Sequence, residues 1–453
     1  MRSSWRLIGL LVVLVLLAAC GQKPGVGAEG SEALSVAAGA TGDAASVADG
    51  AGVDTGTTTV TTGTTGTKAP GTASKGAGAP AATTPGDRTG ISDSVITVGV
   101  HAPISGAAPL PQTSFERGAH VYWDFLQTQG GVHGRTVKVI IRDDEFNPAT
   151  AKRVCQQMVE QDKVFMLVGA GGADQITACA QYANSVGVPY LSAGVNENGL
   201  RNLRGYFAFS MSYAAQSPML VQWAKQRLGG GKFAIAVEDT PSFADAHASI
   251  TTAARNGGLD VVYDKKIPKN VQQTDALTIA NGLRSSGAQI VYIITSPQSF
   301  VNIAVAAAGQ GFTPRWLGPG LTSGLNLVAQ IGCPAIDKAN FLSPFPQLDV
   351  IDRLDRDFRP SYQRFGGGTP DDLGIGLWGL NKGLAQLFLA AGKDMSRQSF
   401  VQTVESGKQF TTNVYPATQF SATNHFGATT AHMLQADCGS RSFKTVAEFA
   451  SGF

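Results

Sequence analysis

Residues 95–106 read Val95-Ile96-Thr97-Val98-Gly99-Val100-His101-Ala102-Pro103-Ile104-Ser105-Gly106. The run Val95–Val100 is apolar and β-branched, which reads as a buried strand, and Pro103-Ile104-Ser105-Gly106 reads as the turn that ends it. Helical spacing follows from Ser114 to Thr128, with Phe115, Ala119, Tyr122 and Phe125 on one face. Gly130-Gly131-Val132-His133-Gly134 stops that helix, and Val137–Ile141 is the next strand, ending in Asp143-Asp144. Asn147-Pro148 opens a helix through Gln161, as an Asn cap before a first-turn Pro does. Phe165–Gly169 is a third strand. Gly171-Gly172 leads a helix from about Asp174 to Val186, and Val188–Ser192 is a fourth strand. Strand and helix therefore alternate, which predicts a parallel sheet with helices on both faces. Such sheets bind ligands beyond the carboxyl ends of their strands.

The pattern restarts after Tyr213. Helices are expected at Ser217–Arg227, from Ala244, at Asp275–Ser285 and at Ser299–Ala308. Strands are expected at Phe233–Val237, Asp260–Tyr263, Ile290–Ile294 and Arg315–Leu317. Asp371–Ala391 reads as a core helix with Leu373, Leu377, Leu380, Leu384 and Leu387 inward. The expected fold class is α/β, with two Rossmann-like lobes in tandem; about 360 residues suit two cores better than one.

Upstream of this head the chain changes character. Arg2 and Arg6 precede the apolar run Leu7–Leu17, and Leu17-Ala18-Ala19-Cys20-Gly21 follows. The run is too short for comfortable membrane passage and suits a signal peptide, residues 1–19. Cys20 in this setting resembles the lipobox of bacterial lipoproteins. That resemblance implies lipid attachment at Cys20, a membrane partner, and a position on the outer face of the cell membrane. Residues 20–90 are rich in Gly, Ala and Thr without an aromatic side chain. They bury too little to fold and are expected to form a disordered tether. Net charge is +2, with charged residues 15% of the chain and no basic stripe, so nucleic acid is not an expected partner.

Four further cysteines are present: Cys155, Cys179, Cys333 and Cys438. An even number outside the cytoplasm favours two disulfides, with three possible pairings. Cys155–Cys179 with Cys333–Cys438 is preferred, because the first two fall on consecutive predicted helices separated by one strand. The spacings lack the close CxxC pairs of zinc ribbons, so no metal is expected.

Taken together, Ile96–Val100 with Ser105-Gly106, Gly118-Ala119, Gly130–Gly134 and Val139–Asp144 resemble the start of type I periplasmic binding proteins, in the branch of leucine/isoleucine/valine-binding proteins. The likeness continues through Val168-Gly169, Val188–Ala193 and Ala307–Phe312. It implies two lobes joined by a three-strand hinge, residues 91–213 plus 341–415 and residues 214–340 plus 416–453, closing on a solute. It further implies an ABC permease partner, a monomer, no cofactor, and a small polar solute that is amino acid-like, an amide or a small carboxylate. A sensing lipoprotein of the same fold is the alternative, and a secreted α/β hydrolase a more distant one. Neither preferred disulfide would then cross the hinge.

Carried onto this chain, the cleft loops place Gly172, Ala173 and Asp174; Gly194, Val195 and Asn196; Tyr213; Asp239; Phe243; Ser296; and Gly320 at the solute. The substitutions are informative. Where family members that bind amino acids have a Ser hydroxyl, this chain has Ala170–Asp174. Where an acid follows Gly-Pro to take the ligand ammonium, this chain has Gly318-Pro319-Gly320. Asp239 or Asp174 is the candidate substitute for that acid.

Catalysis is not expected. Gly169–Asp174 lacks the last glycine of a dinucleotide fingerprint and follows a third strand. There is no GxSxG elbow and no HExxH, and the six histidines are scattered. Asp143-Asp144 read as loop and helix-start carboxylates.

Overall fold

The computed structural model describes residues 86–193, 198–320 and 325–453. The calls at Cys20, the signal peptide, Gly194, Val195 and Asn196 lie outside these residues, as does all but the end of the expected tether.

The first lobe alternates β1 (Val95–Ala102), α1 (Gln112–Thr128), β2 (Thr136–Asp143), α2 (Pro148–Glu160), β3 (Met166–Gly169), α3 (Ala173–Ser185), β4 (Tyr190–Ser192) and β5 (Tyr206–Ala208). Its sheet runs β2-β1-β3-β4-β5 with every pairing parallel. Strand alternation partitions the side chains. Ile96, Val98, Val100 and Ala102 face a core shared with α1, while Leu167 of β3 faces the α2/α3 side. Asn147 caps α2, its Oδ1 accepting from Ala149 N–H at 2.8 Å and Thr150 N–H at 3.2 Å.

The second lobe continues α4 (Tyr213–Gln226), β6 (Lys232–Glu238), α5 (Ala244–Asn256), β7 (Asp260–Ile267), α6 (Gln273–Ser285), β8 (Ile290–Ile294), α7 (Pro297–Gly309), β9 (Arg315–Gly318), α8 (Leu325–Gly332) and β10 (Asn340–Ser343). Helix α4 starts four residues before the expected Ser217, because Ser212 Oγ accepts from Ala215 N–H at 3.1 Å and caps it there.

The chain then returns to the first lobe. Two single-turn helices, α9 (Ile351–Leu354) and α10 (Phe358–Ser361), precede α11 (Asp372–Ala391) and α12 (Arg397–Val404). All five leucines expected on the inner face of α11 are buried, in the same core as Ile96 and Val98. A hairpin of β11 (Ser406–Phe410) and β12 (Thr418–Ser421) follows, and then β13 (Ala431–Asp437) and β14 (Ser442–Ala450) join the second sheet. That sheet runs β14-β13-β10-β9-β8-β6-β7. Strands β13 and β14 are antiparallel additions to a parallel core. Two segments sit across the expected cuts at 341 and 416. Strand β10 pairs within the second sheet, whereas Phe420 packs in the first core against Phe207 and Phe209. Strands β5, β10 and β11–β14 carry too little periodicity to have been expected from sequence.

Cys155 on α2 is joined to Cys179 on α3 with Cα atoms 5.9 Å apart, and Cys333 to Cys438 at 5.4 Å. Each bond ties elements of one lobe. Among the described residues no helix is long and apolar enough to cross a membrane.

Candidate functional site

In each sheet one crevice is marked by topology. From β1 the chain crosses to β2 on one side, and from β3 to β4 on the other. The two directions part between β1 and β3. In the second sheet they part between β6 and β8, since β7 and β9 lie on opposite flanks. Backbone loops diverge at such points and leave a hollow at the strands' carboxyl ends. The lining stretches are therefore Pro103–Gly106 and Ala170–Asp174 in one lobe, and Glu238–Phe243 and Thr295–Ser296 in the other.

Beneath the first crevice the polar groups are committed to structure. Asp143 Oδ1 accepts from the N–H groups of Ile104 (2.9 Å), Ser105 (3.1 Å) and Glu145 (2.9 Å), and Oδ2 from Ser105 Oγ at 2.6 Å. Burial raises its pKa, but the Ser105 hydroxyl and these N–H donors outweigh burial and hold the carboxyl below its usual range. Asp144 is buried and pairs with His101 Nδ1 at 2.7 Å, while His101 Nε2 meets the Tyr190 hydroxyl at 2.6 Å. A second buried pair, Ser192 Oγ and the Tyr206 hydroxyl at 2.8 Å, lies on the neighbouring strands. The Asp143-Asp144 carboxylates thus shape the loop and anchor the sheet. His101 also lies within 4.8 Å of Cys155 and Cys179, but bonded sulfurs offer no thiolate and both ring nitrogens are engaged.

The residues expected at the solute separate into two groups. Gly172 caps α3 at φ 77°, and a Cβ there would stand 2.2 Å from Gln175 Oε1, so this turn requires glycine. Ala173 and Asp174 open the helix. Tyr213, first residue of α4, donates its hydroxyl to Gly320 O at 2.7 Å, and its ring lies 5.9 Å from that of Phe243. Ser296 caps α7, accepting from Ser299 N–H at 3.3 Å. These residues lie on the loops at the strand ends. Asp239 differs: its carboxylate is 61% exposed and bound to Lys266 at 2.8 Å, so it faces solvent. The neighbouring Glu238 is the buried carboxylate. It is 5% exposed and accepts from Thr295 Oγ1 at 3.2 Å and from the Ser296 N–H. Burial raises its pKa, opposed by the positive field of Lys269. Sequence reasoning missed Glu238, although its position at the carboxyl end of an apolar strand was a legible signal.

Asp174 reaches across from one lobe to the other. Its Oδ1 accepts from Thr240 Oγ1 at 2.5 Å and its Oδ2 from Lys269 Nζ at 2.5 Å, both in the second lobe. Burial alone raises the Asp174 pKa; the Lys269, Thr240 and Ser242 hydrogen bonds win and lower it. The Lys269 ammonium also stands 5.5 Å from the Phe146 ring centroid. Thr177 Oγ1 meets Ser242 Oγ at 3.5 Å, and Asn198 N–H donates to Asp245 Oδ2 at 3.1 Å. The α3 rim of the two lobes is thus a continuous polar seam. Next to it, Gln175 is 1% exposed, and neither its Nε2 nor its Oε1 has a partner among the described residues.

Residues 95–441 match the pattern of the periplasmic binding protein family. An amino acid binding protein of Pseudomonas aeruginosa is 23% identical over 303 residues, 66% of this chain and 79% of that one. Among solved structures, a possible leucine/isoleucine/valine-binding protein from Rhodopirellula baltica has a TM-score of 0.69 at 16% identity, covering 80% of this chain and 98% of that one. A fatty acid ABC transporter substrate-binding protein from Thermomonospora curvata has a TM-score of 0.68 at 17% identity, covering 81% and 95%. These structures share the two-lobed fold. The matched region spans both crevices and every described loop residue discussed above, and the chain belongs to the periplasmic binding protein family, whose type I members hold solutes without transforming them.

Proposed function

We propose that this protein is the lipid-anchored solute receptor of an ABC-type uptake system, taking a small polar solute between its lobes and presenting it to a membrane permease. The observation that carries the reading is the cross-lobe seam: Asp174 on one lobe meets Thr240 and Lys269 on the other, at the carboxyl ends of both sheets. Facing crevices that can touch are what solute sequestration needs, and binding then shifts an open–closed equilibrium. Among relatives, one protein carries the name of an amino acid binder and another of a fatty acid transporter component, so the family frame leaves the solute open. Anchoring through Cys20, a tether over residues 20–90, a monomeric receptor, and lobe 1 (91–213 plus 341–415) hinged to lobe 2 (214–340 plus 416–453), with β10 moved to lobe 2 and the β11–β12 hairpin kept in lobe 1, complete the proposal. The disulfides Cys155–Cys179 and Cys333–Cys438 leave the hinge free.

Mass spectrometry of solute carried through purification of the full chain tests this reading. A small molecule released on denaturation, rebinding with closure and without turnover, is the expected result. Phe243→Ala and Asn196→Ala should each weaken that rebinding about tenfold or more, or about 1.4 kcal/mol, in titration calorimetry. Catalysed conversion of the solute, or rebinding indifferent to both substitutions, overturns the assignment.

A further inference from the structure

Glu238 stands at the crevice of the second sheet, between the carboxyl ends of β6 and β8. It is 5% exposed, and among the described residues its acceptor oxygens meet only a hydroxyl and a backbone N–H, from Thr295 and Ser296. The nearby ammonium, Lys269, is bound to Asp174 instead. A carboxylate held out of water without a cation in contact is strongly disfavoured. The positive end of α3 across the seam is already answered by the chain's own Asp174 in the first turn, so it has no call for an anion. Asp174 and Glu238 against Lys269 leave one negative charge in surplus. Independently, Gln175, beside Asp174 in the same first turn, holds a buried amide whose donor and acceptor meet no partner among the described residues.

We infer that the solute presents a protonated nitrogen, an ammonium or amidinium, to the Glu238 carboxylate, which makes Glu238 the residue that selects cationic groups over anionic ones. This rests on the solute-binding reading above. Lys269 with Asp174 closes the rim beside it, and the Gln175 amide is placed to pair with a polar group of the same solute. A small carboxylate without a basic nitrogen would add a second uncompensated negative charge to a buried site.

The test uses the full chain purified in detergent. Solute carried through purification is identified by mass spectrometry, and calorimetry compares three pairs of probes: leucine with 4-methylpentanoate, isoamylamine with isoamyl alcohol, and benzamidine with benzoate. The expected result is a carried solute with a basic nitrogen, the cationic member of a pair binding at least about tenfold more tightly than its twin, and loss of that preference in Glu238→Gln. The probe pairs need no variant, so the inference stays testable if Glu238→Gln does not fold. A carried solute without a basic nitrogen, twins that bind equally, or a Glu238→Gln variant that keeps the preference overturns this inference and leaves the receptor reading standing. No carried solute and no response to any probe overturns both.

Discussion

At the scale of single residues, Gly169 decides how tightly β3 and β4 approach over the buried histidine. A Cβ at that position would stand 1.9 Å from the Tyr190 hydroxyl, which His101 Nε2 holds at 2.6 Å. Gly169→Ala must therefore push Tyr190 off His101, adding steric strain to a lost buried hydrogen bond. A stability loss of about 3 kcal/mol is expected in urea denaturation; a loss under about 0.5 kcal/mol would mean that the Tyr190 bond is dispensable. Parity along β6 is the matching lesson for the site. Phe233, Ile235 and Val237 face the α4/α5 core, while Ala234 and Ala236 face α6 and α7. Alternation therefore continues into Glu238 as part of the buried strand. The first residue beyond it, Asp239, projects to solvent and takes Lys266. The sequence reading singles out Asp239 alone; which of the two adjacent acids is buried was a matter of strand register, and register is set by pairing with β7 and β8.

At the scale of elements, the N-terminal turn of α3 and the loops after β6 and β7 form one polar joint. Asp174 is 66 residues from Thr240 and 95 from Lys269. From sequence Asp174 reads as a candidate solute ligand, because its partners in the other lobe exist only once the lobes meet. With side chains 19% and 30% exposed, the Asp174–Lys269 pair is part-buried and charge-assisted. Asp174→Asn and Lys269→Met are each expected to shift the solute-free protein toward the open form, read by energy transfer between fluorophores placed one on each lobe. Because both substitutions remove the same contact, the double variant should open no further than the singles, with a coupling energy of about 1–3 kcal/mol. Additive effects would mean that the pair does not hold the lobes together.

For the whole molecule, two buried groups pull stability in opposite directions with pH. Asp372 accepts from Leu325 N–H at 2.6 Å, joining α11 of one lobe to α8 of the other. Burial and the neighbouring Asp371 push its carboxyl up to about 6, with the Leu325 and Asn326 N–H groups pulling it part of the way back. The folded protein keeps that proton where the unfolded chain, at 3.8, releases it. The Asp372 contribution is therefore full below pH 3.8 and lost as pH rises through 6. His432 is the converse. Burial pushes it down to about 4 from 6.5, although Val414 O accepts from Nε2 at 3.1 Å. Its contribution is full above pH 6.5 and lost as pH falls through 4. Each is worth about 3 kcal/mol, so the two nearly cancel between pH 4 and 6. Asp372→Asn should gain about 3 kcal/mol at pH 7 and nothing at pH 4, and His432→Gln should gain toward acid pH instead. Denaturation midpoints across pH 4–7 check both; variants that track the wild-type profile refute the assignment of these two groups.

The alternation of strand and helix from Val95 to Leu317, β5 apart, was readable directly. Local propensity, caps such as Asn147 and the period of apolar residues all report on neighbours in sequence, whereas burial depends on place in the sheet: β2 and β7, at the edges, stay part-exposed. The same holds for the five inward leucines of α11. Other features depend on contacts between segments far apart in the chain. The short strands β5 and β10 and the returning pair β13–β14 are strands only because a sheet edge is there to pair them. The lobe that each returning segment joins, the orientation of Glu238, and the capture of Asp174 by Thr240 and Lys269 were likewise settled by tertiary packing. Hydrogen-bond partners and burial at those positions arise only when the two sheets stand in place.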